Sequence, residues 1–200
     1  MPGRVFLSHP LADLAAWLGA SAAAEDPGPR ADAAPGESFW LAVAGREMRA
    51  MRWGMIPMGR KNARGRPVLE TVVNARAETV LEKSAFAGTG HAILPVSGWY
   101  EWTGKRGRKT RWRIARPGGA PLAFAAIYDV WQAPGGAEVA SFATLTVEPS
   151  EDVAAYHHRM PVILPEAAWP LWLGEAAGPL APVLKPAPAG TVEVAEAAEP

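Results

Sequence analysis

The sequence predicts a sheet-dominated α+β domain. Apolar or alternating runs at Ala92 to Trp102, Thr110 to Ala115, Leu122 to Trp131 and Val139 to Val147 follow one another between Gly/Pro turns. Helical periodicity is confined to short stretches beginning near Ser8, Asn74 and Glu166. The chain has 200 residues, 49% of them hydrophobic, which suits one domain over residues 1–173 followed by a Pro/Ala-rich acidic tail over 174–200.

The elements follow in chain order. From Ser8 a helix is expected, with Ser8 or His9 as cap, Pro10 in the first turn, Leu11, Leu14 and Leu18 on one face and Gly19 as terminator. Residues 20–37 are small, acidic and Pro-rich, and read as a flexible loop. Phe39 to Val43 and Glu47 to Trp53 form a hairpin turning at Ala44-Gly45, followed by an exposed basic loop at Arg60 to Arg66 and a β-branched run at Glu70 to Val73. Asn74 is placed to cap a helix running to Lys83. Strands then dominate until a short helix at Glu166 to Leu173. The tail, with one strand-like run at Thr191 to Val194, is expected to be poorly ordered.

Charge is balanced overall, with twenty Lys/Arg and twenty Asp/Glu, but it is segregated. Residues 46–116 carry sixteen basic and five acidic side chains, so the rest of the chain is acidic by the same margin. Interleaved with Trp53, Trp99, Trp102 and Trp112, this basic segment has the composition of a groove that follows a phosphate backbone and offers stacking surfaces. A solvated basic face over core tryptophans has the same composition, which leaves both open.

Cysteine is absent, which excludes disulfides, thiolate metal sites, CxxC redox chemistry and a cysteine nucleophile. No stretch approaches the ~20 apolar residues of a membrane span, and no signal peptide is present, so a cytoplasmic protein is expected. No metal spacing, phosphate loop or G-x-S-x-G elbow occurs, and no metal or cofactor is expected. The adjacent His157 and His158 would point to opposite faces of an extended chain.

Three polar clusters interrupt the apolar runs: Asn74-Ala-Arg76, Trp99-Tyr-Glu101-Trp102 and His157-His-Arg159-Met-Pro161. Strand alternation puts Glu101 on the face of Trp99 and opposite Tyr100 and Trp102. Partial desolvation there raises a carboxyl's pKa toward the range of general acid/base work. His157 is a second acid/base candidate. A strand Glu paired with Arg and a structural His fit these patterns as well.

Six blocks stand in an order that resembles the SOS-response-associated peptidase (SRAP) family. They are Met1-x-Gly3-Arg4, Met51-Arg-Trp-Gly-Met-Ile-Pro57, Asn74-Ala-Arg-Ala-Glu-Thr79, Leu94-Pro-Val-Ser-Gly-Trp-Tyr-Glu-Trp102, Leu122-Ala-Phe-Ala-Ala-Ile and His157-x-Arg-Met-Pro-Val-Ile-Leu164. The resemblance implies a mixed fold with a barrel-like antiparallel β core, few short helices and a basic channel for single-stranded DNA. It implies a monomer acting in the DNA damage (SOS) response on abasic sites, by a thiazolidine between the sugar aldehyde and a Cys exposed at residue 2. Carried onto this chain, it assigns Asn74 to orienting the sugar or the N-terminal group, Glu101 to proton transfer and His157 to opening the sugar ring. Arg4, Arg76 and Arg159 would bind phosphates, and Trp53 would support the DNA near the site.

The chain departs from the family at the nucleophile, because it begins Met-Pro-Gly-Arg where the family begins Met-Cys-Gly-Arg. A thiazolidine needs an amine and a thiol on one residue, so Pro2 excludes that crosslink, and a cysteine-peptidase (hydrolase, protease) step is excluded with it. Removal of Met1 would expose Pro2 as a secondary amine able to attack an aldehyde and form an iminium, which is reversible or collapses by β-elimination in a lyase-like reaction. The alternatives are a paralogue that shields single-stranded DNA without covalent attachment and a pseudo-enzyme acting through protein contacts.

Overall fold

The computed structural model describes residues 2–21, 25–56, 71–80, 82, 86, 88–132 and 135–197. Its core is a closed barrel of five strands: β3 (Ser38–Val43), β4 (Glu47–Trp53), β6 (Gly90–Val96), β9 (Leu122–Gln132) and β10 (Glu138–Val147). Neighbours run antiparallel except where β10 meets β4 and closes the barrel in parallel. The short β5 (Asn74–Arg76) pairs with β10 beyond the end of β4, matching Asn74 to Thr144. On the other edge of β10, β11 (Met160–Pro161) pairs beyond the end of β9.

A second, antiparallel sheet has the order β12 (Glu193–Glu196), β8 (Arg108–Ala115), β7 (Gly98–Lys105), β1 (Val5–Leu7), β2 (Arg30–Ala33). The expected single run Ala92 to Trp102 is therefore two strands, one in each layer. Ser97 makes the break. It is buried, and its hydroxyl takes the Ser8 backbone N–H at 2.8 Å and contacts His9 Nδ1 at 2.9 Å. Gly98 follows because a Cβ there would lie 2.3 Å from the Ile114 carbonyl and 2.5 Å from the Phe6 ring.

Helix α1 (Leu11–Leu18) buries Leu11, Leu14 and Leu18 as expected and ends at Gly19, which adopts φ 62°. Its cap differs from the expectation. Ser8 and His9 are committed to Ser97, and the first helical N–H, that of Leu11, donates to Asp26 Oδ2 at 2.9 Å.

Three further readings change. The loop expected over 20–37 contains β2, which pairs with β1. Asn74 is a strand residue and no helix cap, because the β10 ladder takes up its backbone. The helix, α2, starts only at Ala77 and is described to Val80. The tail read as poorly ordered carries β12 on the edge of β8, with Ala187 and Val192 buried, since the alternation around Val192 and Val194 supplies an apolar face to dock. The basic loop at Arg60 to Arg66 lies outside the described residues. Among the described residues no helix is long and apolar enough to cross a membrane.

Candidate active site

The β1–β7 register leads the start of the chain into the site. Val5 pairs with Trp99 and Phe6 with Gly98, and the Tyr100 N–H donates to the Arg4 carbonyl at 2.9 Å, so the same register brings Gly3 level with Glu101. Pro2 is buried just beyond. Its carbonyl accepts from Asn74 Nδ2 at 3.0 Å, and the Thr144 hydroxyl donates to Asn74 Oδ1. Thr144, wholly buried on β10, thereby fixes which way the Asn74 amide faces. Barrel and second sheet meet at this point.

Glu101 is 4% exposed. Burial raises its pKa above the usual carboxylate range, while the charge of the chain's N-terminal amine and the Trp99 indole N–H pull the other way. The alternation read from sequence holds, since Tyr100 and Trp102 lie in a separate cluster with Phe6. There, Arg111 stacks on Tyr100 at 3.7 Å and pairs with Asp32 at 3.2 Å.

His157 follows helix α3 (Glu151–Ala154), and its N–H donates to the Val153 carbonyl at 3.1 Å. The chain is coiled here and not extended, so His157 and His158 stack at 4.3 Å between ring centres instead of pointing apart. Burial lowers the pKa of His157, as do the N-terminal charge and His158. Nδ1 of the ring lies 3.0 Å from both the backbone nitrogen and the carbonyl oxygen of Arg159, and the tautomer that donates to that carbonyl leaves the Nε2 lone pair free. Glu101 and His157 thus both feel the charge of the amino terminus.

Sequence reasoning named Trp112 among the stacking surfaces of the basic segment but missed that it pairs with Tyr156. Trp112 stands directly opposite Glu101 on β8, hence on the same face, and packs on Tyr156 at 4.7 Å between ring centres. This pair bridges the second sheet to the turn that carries His157. Thr144 was also missed. Its signal was a set of hydroxyls, Ser141, Thr144 and Thr146, inside an otherwise apolar strand.

The residues expected to bind DNA are placed unequally. Arg76 is exposed at the end of β5. Arg4 is 44% exposed and lies 3.4 Å from Asp32. Arg159 is 13% exposed and holds Glu78 bidentately at 2.6 and 2.8 Å, so a phosphate there competes with a carboxylate already in place. That pairing lowers the Glu78 pKa.

Trp53 corrects its sequence reading, because it is fully buried and has no face to offer a base. It stacks on Phe142, and its indole N–H donates to the Val73 carbonyl at 3.0 Å, holding up the strand that carries Asn74 from within. Trp53→Ala is expected to cost about 3–5 kcal/mol in denaturant unfolding; a surface contact would cost only a few tenths. Among the described residues no group of His, Asp and Glu is arranged to hold a metal ion.

A family model described as SOS response associated peptidase (SRAP) matches residues 1–199. The abasic site processing protein YoaM of Bacillus subtilis is 35% identical over 128 residues, 62% of this chain and 55% of that protein. The abasic site processing protein HMCES of Gallus gallus is 31% identical over 159 residues, 68% of this chain and 47% of that one. The chain spans about half the length of these curated relatives. Among solved structures, a Bordetella bronchiseptica protein superposes with a TM-score of 0.78 at 27% identity over 100% of both chains. A Bacteroides thetaiotaomicron protein gives 0.81 at 22% identity over 96% of this chain and 90% of that one, a likeness of fold alone.

Proposed function

Because this chain belongs to the SOS response associated peptidase (SRAP) family, we propose that it processes abasic sites in single-stranded DNA through the α-amine that removal of Met1 exposes on Pro2. One arrangement carries the proposal. The charge of the amino terminus acts on both a buried carboxyl with a raised pKa and an imidazole with a lowered one, while Asn74 holds the Pro2 carbonyl at 3.0 Å. Removing Met1 moves the amine by one residue without disturbing that hold. The printed names of YoaM and HMCES support abasic DNA as the substrate.

The steps balance within these groups. His157, neutral at neutral pH, takes the C1′ hydroxyl proton as the bond from C1′ to the ring oxygen O4′ breaks and passes it to O4′, so the abasic sugar opens to its aldehyde and the imidazole is neutral again. The Pro2 nitrogen attacks C1′, and its proton passes to the former aldehyde oxygen, giving a carbinolamine. Glu101, protonated more readily than an exposed carboxyl, gives its proton to the departing hydroxyl, which leaves as water. A positively charged iminium remains, and the regenerated carboxylate stabilises it. Transfer of a C2′ proton to His157 breaks the bond from C3′ to the phosphate oxygen, and water then hydrolyses the adduct and frees Pro2.

Borohydride reduces the iminium to a stable amine. Incubation with a single-stranded oligonucleotide carrying one abasic site should therefore give a crosslink only when borohydride is present, mapped to Pro2 by mass spectrometry. The second reading, a shield that binds without chemistry, is favoured by the missing cysteine alone. Tight, salt-sensitive binding with no trapped adduct would establish it in place of the first. Retained Met1 in the mature protein would rule out Pro2 as the amine.

A further inference from the structure

The C-terminal arm, read from the sequence only as a tail, roofs a cavity of about 710 Å³ on the flank of the domain. Its floor is Trp17 set edge-on against Trp169, with ring centres 5.0 Å apart, and Ile163 beside them. Val183 and Ala187 of the arm form the roof. The arm is held in place beyond the cavity, where the Gly190 N–H donates to both Asp152 carboxylate oxygens at 2.9 and 3.0 Å and β12 pairs with β8. Both walls are therefore preformed. The volume lies in the range that encloses a small organic molecule.

The polar groups of this cavity are unevenly matched. Glu166 Oε1 accepts the Trp17 indole N–H at 3.2 Å. Arg116, half-buried at the end of β8, has a buried Nε with no hydrogen-bond partner, and neither it nor Lys185 forms an ion pair among the described residues. Arg116 and Lys185 both line the cavity, and a carboxylate is the acceptor whose two oxygens suit a guanidinium without an ion pair. None of Pro2, Asn74, Glu101 and His157 lines this cavity.

We infer that this cavity is a second binding site, for a small carboxylate with a flat apolar body, whose head meets Arg116 and Lys185 and whose body lies against Trp17 and Trp169. A floor of two indoles favours a ring over a flexible chain, and two cations against one engaged carboxylate favour a single negative charge.

The experiment titrates the full chain by calorimetry with naphthalene-2-carboxylate and, separately, with the uncharged naphthalene-2-carboxamide. The carboxylate should bind at least tenfold tighter. Arg116→Met should bring it down to the level of the amide, and Val183→Trp, which fills the roof, should weaken both probes at least tenfold. Lys185→Met changes an exposed side chain, and it should weaken the carboxylate alone by severalfold even if Arg116→Met fails to fold. Equal affinity for the two probes, no heat from either at millimolar concentration, or unchanged carboxylate binding in the charge variants would overturn the inference.

Discussion

A Pro2→Cys variant should crosslink to abasic single-stranded DNA without borohydride, and the product should survive heating that destroys the wild-type adduct. Cysteine offers an amine and a thiol on one residue. The amine condenses with the aldehyde and releases water, and the thiol sulfur then adds to C1′, closing a five-membered thiazolidine. Position 2 is suited to the exchange, since Asn74 holds its backbone carbonyl and the side chain plays no part in that bond. Cysteine is also smaller than the ring it replaces, so the buried position accepts it without overpacking. The adduct should outlive the iminium by at least about a hundredfold, the scale on which ring closure converts a reversible link into a persistent one. Gel analysis after heating measures this. If Met1 is removed and no heat-stable product forms, Asn74, Glu101 and His157 are not arranged for this reaction, and the proposed function loses its basis.

Glu101→Gln should slow borohydride trapping by about a hundredfold or more, the usual contribution of a positioned acid/base group, while making the fold more stable at neutral pH. The second effect follows from linkage. Burial raises the Glu101 pKa in the folded protein, so the folded state holds its proton more tightly than the unfolded chain does. The stability this contributes is fully present below the unfolded value, about 4.3, and is lost as pH rises through the folded value. Gln copies the protonated carboxyl without that loss. Its advantage in melting temperature should be greatest near neutral pH and should vanish as pH falls below the unfolded value. A variant that loses trapping and is also destabilised at neutral pH would mark Glu101 as a structural ion-pair partner. His157 sets the acid limb, since trapping should fall as pH drops through its lowered pKa and the ring takes up a proton.

Much of this site was legible in the chain because local patterns expose it. The period of two around Trp99-Tyr-Glu101-Trp102 put Glu101 on the Trp99 face, and the structure keeps it there. Leu11, Leu14 and Leu18 with Gly19 marked out α1 for the same reason: spacing and backbone freedom are properties of neighbouring residues. Other features depend on residues far apart in sequence. Asn74 reads as a helix cap by propensity, but seventy residues later Thr144 offers its backbone a ladder and its amide a hydroxyl. Trp53 reads as a stacking surface, but closure of the barrel encloses it.

The sequence by itself determined the class of the domain, the acid/base candidates Glu101 and His157 and the loss of thiol chemistry at Pro2, because composition, period and motif order are carried in the chain. Only the tertiary structure decided that Asn74 holds the Pro2 carbonyl, that Arg159 is already paired with Glu78, and that the acidic tail returns to line a cavity. Each depends on strand register and ring closure, which bring together residues as far apart as Trp17 and Glu166, 149 positions, or further, and no local preference encodes which distant partner a backbone or a charge will find.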